Sequence, residues 1–144
     1  MATVYGANRT IMDAPTPSTI LDPGLNGGKV RCMIDTYTAD ATEGAGTIIE
    51  MGGTLPTGAR ILQVWCTNAD GNATMSVGDL ESTTRYIASV AAGATEYMDV
   101  AGGLGYEVDM TTASTPDNQI VITTIGDTLD TGLTTRLVVF YTIE

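Results

Sequence analysis

The sequence predicts an all-β protein: an antiparallel two-sheet sandwich, for which jelly-roll connections are one arrangement, preceded by an extended N-terminal arm. Three observations carry this. Seventeen glycines and a single lysine occur among 144 residues, and threonine recurs throughout. Glycine and threonine are weak helix formers, and turns need glycine. Apolar residues alternate with polar ones at period two in short runs, the signature of half-buried strands. Eight or so such runs are separated by Gly, Asp and Thr clusters, a spacing typical of sandwiches. A chain this long forms one domain that buries roughly two-thirds of its unfolded surface. Residues 28–144 are read as that single domain and residues 1–27 as the arm.

The arm has no sustained period, and Pro15, Pro17, Pro23, Gly24 and Gly27 interrupt any helix or central strand that starts there. It carries scattered apolar anchors at Val4, Tyr5, Ile11, Ile20 and Leu21, and its first twelve residues hold one cation, Arg9, and no carboxylate. Such a stretch reads either as a frayed terminus or as an arm lying on a partner or a neighbouring subunit, because those anchors would otherwise be exposed. From Lys29 the pattern becomes regular, with Val30, Cys32 and Ile34 expected on the buried face and Arg31 and Asp35 on the other. A second strand is expected over residues 47–51.

Residues 59–79 look like the organising centre. In the run Ile61, Leu62, Gln63, Val64, Trp65, Cys66 only the glutamine is polar, so both sides of that strand can be buried near the middle of a sheet. Asn68-Ala69-Asp70-Gly71-Asn72 reads as a hairpin turn, in which Asp-Gly supplies positive φ at low steric cost. The return strand then shows one dry face of Ala73, Met75 and Val77 against Thr74, Ser76 and Gly78. Residues 85–90 form a short strand or begin a short helix. Residues 96–100 are another short candidate. Over 106–110, Tyr106, Val108 and Met110 point inward and Glu107 and Asp109 outward. Residues 118–125 and 134–143 complete the set, the last apolar on both sides over 137–141 and therefore central.

Seventeen acidic residues face six basic ones, giving a net charge of −11. That charge repels phosphate backbones and anionic membranes, so neither nucleic acid nor membrane is expected as a partner. The imbalance is uneven: residues 1–58 carry three basic and six acidic groups (net −3), and residues 59–144 carry three and eleven (net −8). Cys32 and Cys66 sit inside strand patterns and read as small buried side chains rather than a disulfide framework. The first ten residues lack the apolar core of a signal peptide, and the longest strictly apolar run, 137–141, is far too short to cross a bilayer. The expectation is a soluble chain made in the cytoplasm.

Little in the sequence supports catalysis. There is no histidine, which removes the commonest general base and metal ligand, and two cysteines cannot make a usual structural zinc site. Asp79 with Glu81, and Glu107 with Asp109, are close enough in sequence to suggest the carboxylate pair of glycoside hydrolysis, but a solvated stripe opposite a buried one explains the second pair. Asn68, Asp70 and Asn72 carry oxygens at alternate positions like the start of a calcium loop, yet the glycine falls too early and no glutamate closes the site. Those residues, like Asp127 and Asp130, fit turn chemistry. No catalytic residue, cofactor or metal ligand is assigned. Trp65, Tyr86 and Tyr97, if exposed together, would form a stacking face for sugars, and an alternative reading is therefore a polysaccharide-binding module of a fibre or adhesin.

Several runs together resemble the small head-decoration, or cement, proteins encoded beside the shell protein of tailed bacteriophages. They are Tyr5-Gly6-Ala7-Asn8-Arg9-Thr10 with the Pro-rich segment 13–24, Leu55-Pro56-Thr57-Gly58-Ala59-Arg60, Ser76-Val77-Gly78-Asp79, Arg85-Tyr86-Ile87, Gly103-Leu104-Gly105-Tyr106 and the strand 135–141. The likeness spans nearly the whole chain and includes no catalytic signature. It implies a β-sandwich body on the exterior of an icosahedral head, often trimeric, that bridges neighbouring capsomers, with the phage major capsid protein as partner. On that reading Tyr5, Asn8, Arg9, Ile11, Ile20 and Leu21 are the expected arm contacts, since aromatic, arginine and apolar anchors carry most interface energy.

Overall fold

The computed structural model describes residues 29–98, 106–108 and 118–143. It contains eight strands: β1 (Val30–Thr38), β2 (Ile48–Glu50), β3 (Ala59–Asn68), β4 (Thr74–Asp79), β5 (Ile87–Val90), β6 (Thr95–Tyr97), β7 (Ile120–Ile125) and β8 (Thr134–Ile143). They form two four-stranded antiparallel sheets, ordered β1-β8-β3-β6 (sheet 1) and β2-β7-β4-β5 (sheet 2). The residues expected to be apolar on both sides, in β3 and β8, do lie in the interior of sheet 1, each flanked by two neighbours. Their inward positions, Ile61, Val64, Cys66, Leu137 and Val139, meet Met75, Val77, Val90, Ile120 and Ile122 of sheet 2 in one core. A bulge at Leu62 shifts the β3–β8 register, which lets the strand keep its apolar side inward on both sides of the irregularity.

The connections depart from the expected hairpin. Strands β3 and β4 lie in different sheets, so residues 69–73 form a corner that carries the chain across the core. The reason is in the side chains. Gly71 is absent from the glycines with positive φ, and the turn is shaped instead by Asp70, whose Oδ1 accepts the backbone N–H of Asn72 at 2.6 Å and of Ala73 at 2.9 Å. An Asx turn of this kind redirects the chain without requiring the left-handed region.

The expected one-sided burial of β4 is also corrected. Ser76 and Gly78, on the side away from the core, are buried along with Met75 and Val77, because the segment after β4 folds back over it. Any Cβ at position 78 would overlap the carbonyl oxygen of Ser82, and Asp79 N–H donates to that same oxygen at 3.0 Å.

In β1 the two faces are exchanged relative to expectation. Val30, Cys32 and Ile34 face out, and Met33, Asp35 and Tyr37 face the sandwich. Both phases of this strand carry apolar residues, and the longer Met33 and Tyr37 reach the core from an edge strand where the shorter ones would not. Asp35 is accommodated at the rim, accepting the Gly52 N–H at 2.6 Å, and the Tyr37 hydroxyl donates to Glu43 at 2.8 Å. Residues 85–90 yield the strand β5, and the 96–100 candidate corresponds to β6, shifted by one residue at its start. Of the 106–110 candidate, Val108 is buried and Glu107 makes an isolated bridge to Arg60.

These assignments separate two glycines. Replacing Gly71 by Ala, at a φ that alanine can adopt and with no atom near the added Cβ, is expected to leave stability within about 0.5 kcal/mol or raise it. Gly78→Ala should cost about 2–4 kcal/mol in urea unfolding, through overlap with backbone. A large loss at Gly71 would restore the hairpin.

Candidate interaction face

The outward side of sheet 1 carries the most exposed apolar surface among the described residues. The strand registers place Ile34, Val138, Trp65 and Tyr97 in one row across all four strands. Cys32, Phe140 and Gln63 form the adjacent row, and Thr36, Arg136, Thr67 and Thr95 the row on the other side. Ile34 is 65% exposed, Val30 61%, Tyr97 57% and Trp65 40%. The Trp65 ring stands edge-to-face with both Phe140, at 5.2 Å between centroids, and Tyr97, at 5.6 Å. These pairings hold the rings in place before any partner arrives.

This face also differs in charge. None of the strand residues that the register turns outward here is a carboxylate. Glu107, brought beside β3 by its bridge to Arg60, is neutralised by the Arg60 guanidinium at 2.6 Å. Arg136 stands exposed among threonines, whose hydroxyls pair across the strands, Thr67 with Thr95 at 2.9 Å and Thr38 with Thr134 at 3.0 Å. The sequence reading missed the patch because it assigned Val30, Cys32 and Ile34 to the interior. The cysteines correspondingly differ: both are free, Cys32 exposed and Cys66 buried, with burial pushing the Cys66 thiol up to about 12.

The other candidates resolve into structural devices. Asp70 is fully buried and accepts three backbone N–H groups, from Asn72, Ala73 and, at 2.8 Å, Asp130. Its own carbonyl accepts the Gly93 N–H at 2.6 Å. Burial pushes the carboxyl up, but the three donors outweigh it and hold Asp70 below its ordinary value of 3.8. Asn68 completes the joint, accepting the Asp70 N–H and donating to the Ala73 and Ala91 carbonyls. With its oxygens committed to backbone, the Asn68-Asp70-Asn72 run is a corner rather than an ion cradle. Asp127 likewise accepts the Thr128 N–H within its own turn. Among the described residues no group of three or more His, Cys, Asp or Glu is placed to hold a metal ion.

Asp79 and Glu81 do not face each other across a cleft. Both ion-pair with Arg85, whose guanidinium also lies 4.0 Å over the Tyr106 ring. Asp79 further accepts the Ser82 N–H at 2.7 Å, so the cluster pins the segment that covers β4. Of the aromatic set considered for sugars, Trp65 and Tyr97 are exposed but Tyr86 is buried, and the Trp65 and Tyr97 planes meet at 81°. They offer no shared flat platform. Tyr5, Asn8, Arg9, Ile11, Ile20 and Leu21 lie outside the described residues, as do Asp109 and Met110.

The fold is shared with a chain of known structure. The chain is similar to one in the cyanophage Pam1 capsid asymmetric unit, with a TM-score of 0.66 and 20% identity, over 91% of this chain and 100% of that one. A weaker likeness, with a TM-score of 0.47 and 15% identity over 80% of this chain and 94% of the other, is to a chain in the acid-stable capsid of the Helicobacter pylori bacteriophage KHP30. At this identity the Pam1 match establishes a common fold. No family model and no curated protein matches the sequence.

The Asp70 joint has a measurable consequence. Asp70→Ala removes the acceptor of three N–H groups, one of them, on Ala73, buried, which should cost about 2–3 kcal/mol in unfolding free energy. Because the folded-state value is depressed, the ionised carboxylate stabilises the protein above pH 3.8 and that contribution is lost as the pH falls through the lower folded value. Chemical denaturation between pH 7 and pH 2 should show the variant losing less of its stability on acidification than the parent. Equal losses would remove Asp70 as a source of the acid sensitivity.

Proposed function

We propose that this chain is a structural virion protein, a decoration or cement protein that binds the outer surface of a phage capsid and stabilises it by bridging neighbouring shell subunits. The observation that carries the reading is the match of its whole sandwich to a full chain of a phage capsid asymmetric unit. The runs that resemble cement proteins, spread over nearly the whole sequence, support it independently. The strand order β1-β8-β3-β6 facing β2-β7-β4-β5 supports describing the sandwich as a jelly roll, an architecture common in capsid domains. A net charge of −11 suits a body on the outside of a head, facing water and away from the genome. Nothing in the described residues calls for catalysis.

On this reading residues 1–27 are an arm, residues 28–144 the body, and the protein acts by mass action. A ligand that binds only the assembled shell stabilises it by an amount that grows with the logarithm of its concentration over its dissociation constant. Binding as a trimer across a capsomer boundary adds multivalency, since two or three weak contacts then act at high effective concentration. Tyr5, Asn8, Arg9, Ile11, Ile20 and Leu21 are the arm contacts with the major capsid protein or a sister subunit. The described strands and the core that joins them lie entirely within residues 30–143, so removing residues 2–27 should leave a folded body. That body is expected to lose binding to purified heads in a co-sedimentation assay. Undiminished binding would defeat the assignment of the arm.

A further inference from the structure

The row formed by Ile34, Val138, Trp65 and Tyr97 is laid across every strand of sheet 1, and no other described residue closes over Ile34, Trp65 and Tyr97, which are exposed, in contrast to the covered outer side of β4. An apolar surface of this kind, with rings already held edge-to-face, loses little side-chain freedom on burial. Its charge selects the occupant. Two copies of a chain with net charge −11 repel each other wherever carboxylates meet. The outward side of sheet 1, where no strand residue is a carboxylate and Glu107 is tied to Arg60, is where like copies approach without that penalty. We infer that this face is the contact between copies of this chain, with the row around Trp65 turned toward the symmetry axis of the homo-oligomer. This deepens the homo-oligomer reading above and does not depend on the shell.

Two probes are built into the face. Trp65 is the only tryptophan, and Cys32 is exposed one row away while Cys66 is buried. The full-length protein is followed over a concentration series by light scattering, tryptophan quenching with acrylamide and labelling with a thiol reagent. As the mass rises to a multiple of 15.0 kDa, Trp65 should become shielded and Cys32 should label about tenfold more slowly, reactivity here being controlled by access. Added salt should favour the oligomer, because screening weakens repulsion between acidic bodies. Ile34→Glu, which places a carboxylate in the row at an exposed edge-strand position, should return the protein to the single-chain mass with both probes open and its circular dichroism unchanged. The milder Ile34→Ala should weaken association without abolishing it.

A single-chain mass at every concentration would overturn both the homo-oligomer reading and the face. An oligomer in which Cys32 labels at its free rate would overturn the face alone, since copies then meet elsewhere. Protection that persists at all dilutions and disappears on deletion of residues 2–27 would assign the face to the chain's own arm, and protection that appears only with added heads would assign it to the shell. Either result overturns the inference.

Discussion

The carboxylate of Asp70 is the interaction on which the arrangement of the two sheets depends. A sandwich whose chain crosses between sheets at nearly every connection must hold several loops together at its ends, where no ladder of hydrogen bonds is available. Asp70 does this for three of them. Its oxygens take the N–H groups of its own corner and of Asp130 between β7 and β8, and its carbonyl takes the Gly93 N–H between β5 and β6. Buried, it is held ionised by these backbone donors, which is one way a carboxylate keeps its charge away from water. Asn68 reinforces the same joint through its amide.

With the ends fixed in this way, the two outer faces of the sandwich diverge. Sheet 2 is capped where Arg85, held by Asp79 and Glu81, pins the segment that crosses Gly78. Ser76, two residues before Gly78 on the same side of β4, is buried as well. Among the described residues, none forms such a cover over Ile34, Trp65 and Tyr97 of sheet 1. The outer side of β4 is thus covered by the chain's own backbone, while Ile48 and Ile125 remain exposed elsewhere on sheet 2 and an ordered aromatic row lies exposed on sheet 1.

The electrostatic balance acts at a longer range than these contacts. A body with an excess of carboxylates stays apart from its own copies and from nucleic acid unless a face is relieved of charge. Here the relief comes from strand register, since the strand residues turned outward on sheet 1 are apolar, hydroxylic, cationic or, at Gln63, an uncharged amide.

The sequence by itself determined the class of the fold, the central position of β3 and β8 and the acidic character of the chain. Period-two alternation and two-sided apolar runs are local properties, and they translate directly into strands and their burial. It did not determine which sheet each strand joined. Asn68-Ala69-Asp70-Gly71-Asn72 suits a hairpin and a corner equally well, and only the donors brought in from residues 93 and 130 decide between them. Nor did it fix the phase of β1, where both sets of alternate residues include apolar side chains and the edge position favours the longer Met33 and Tyr37 inside. That one-residue choice of phase moves every side chain to the opposite face, and it is what places Ile34 and Cys32 beside Trp65 on the outward side of sheet 1.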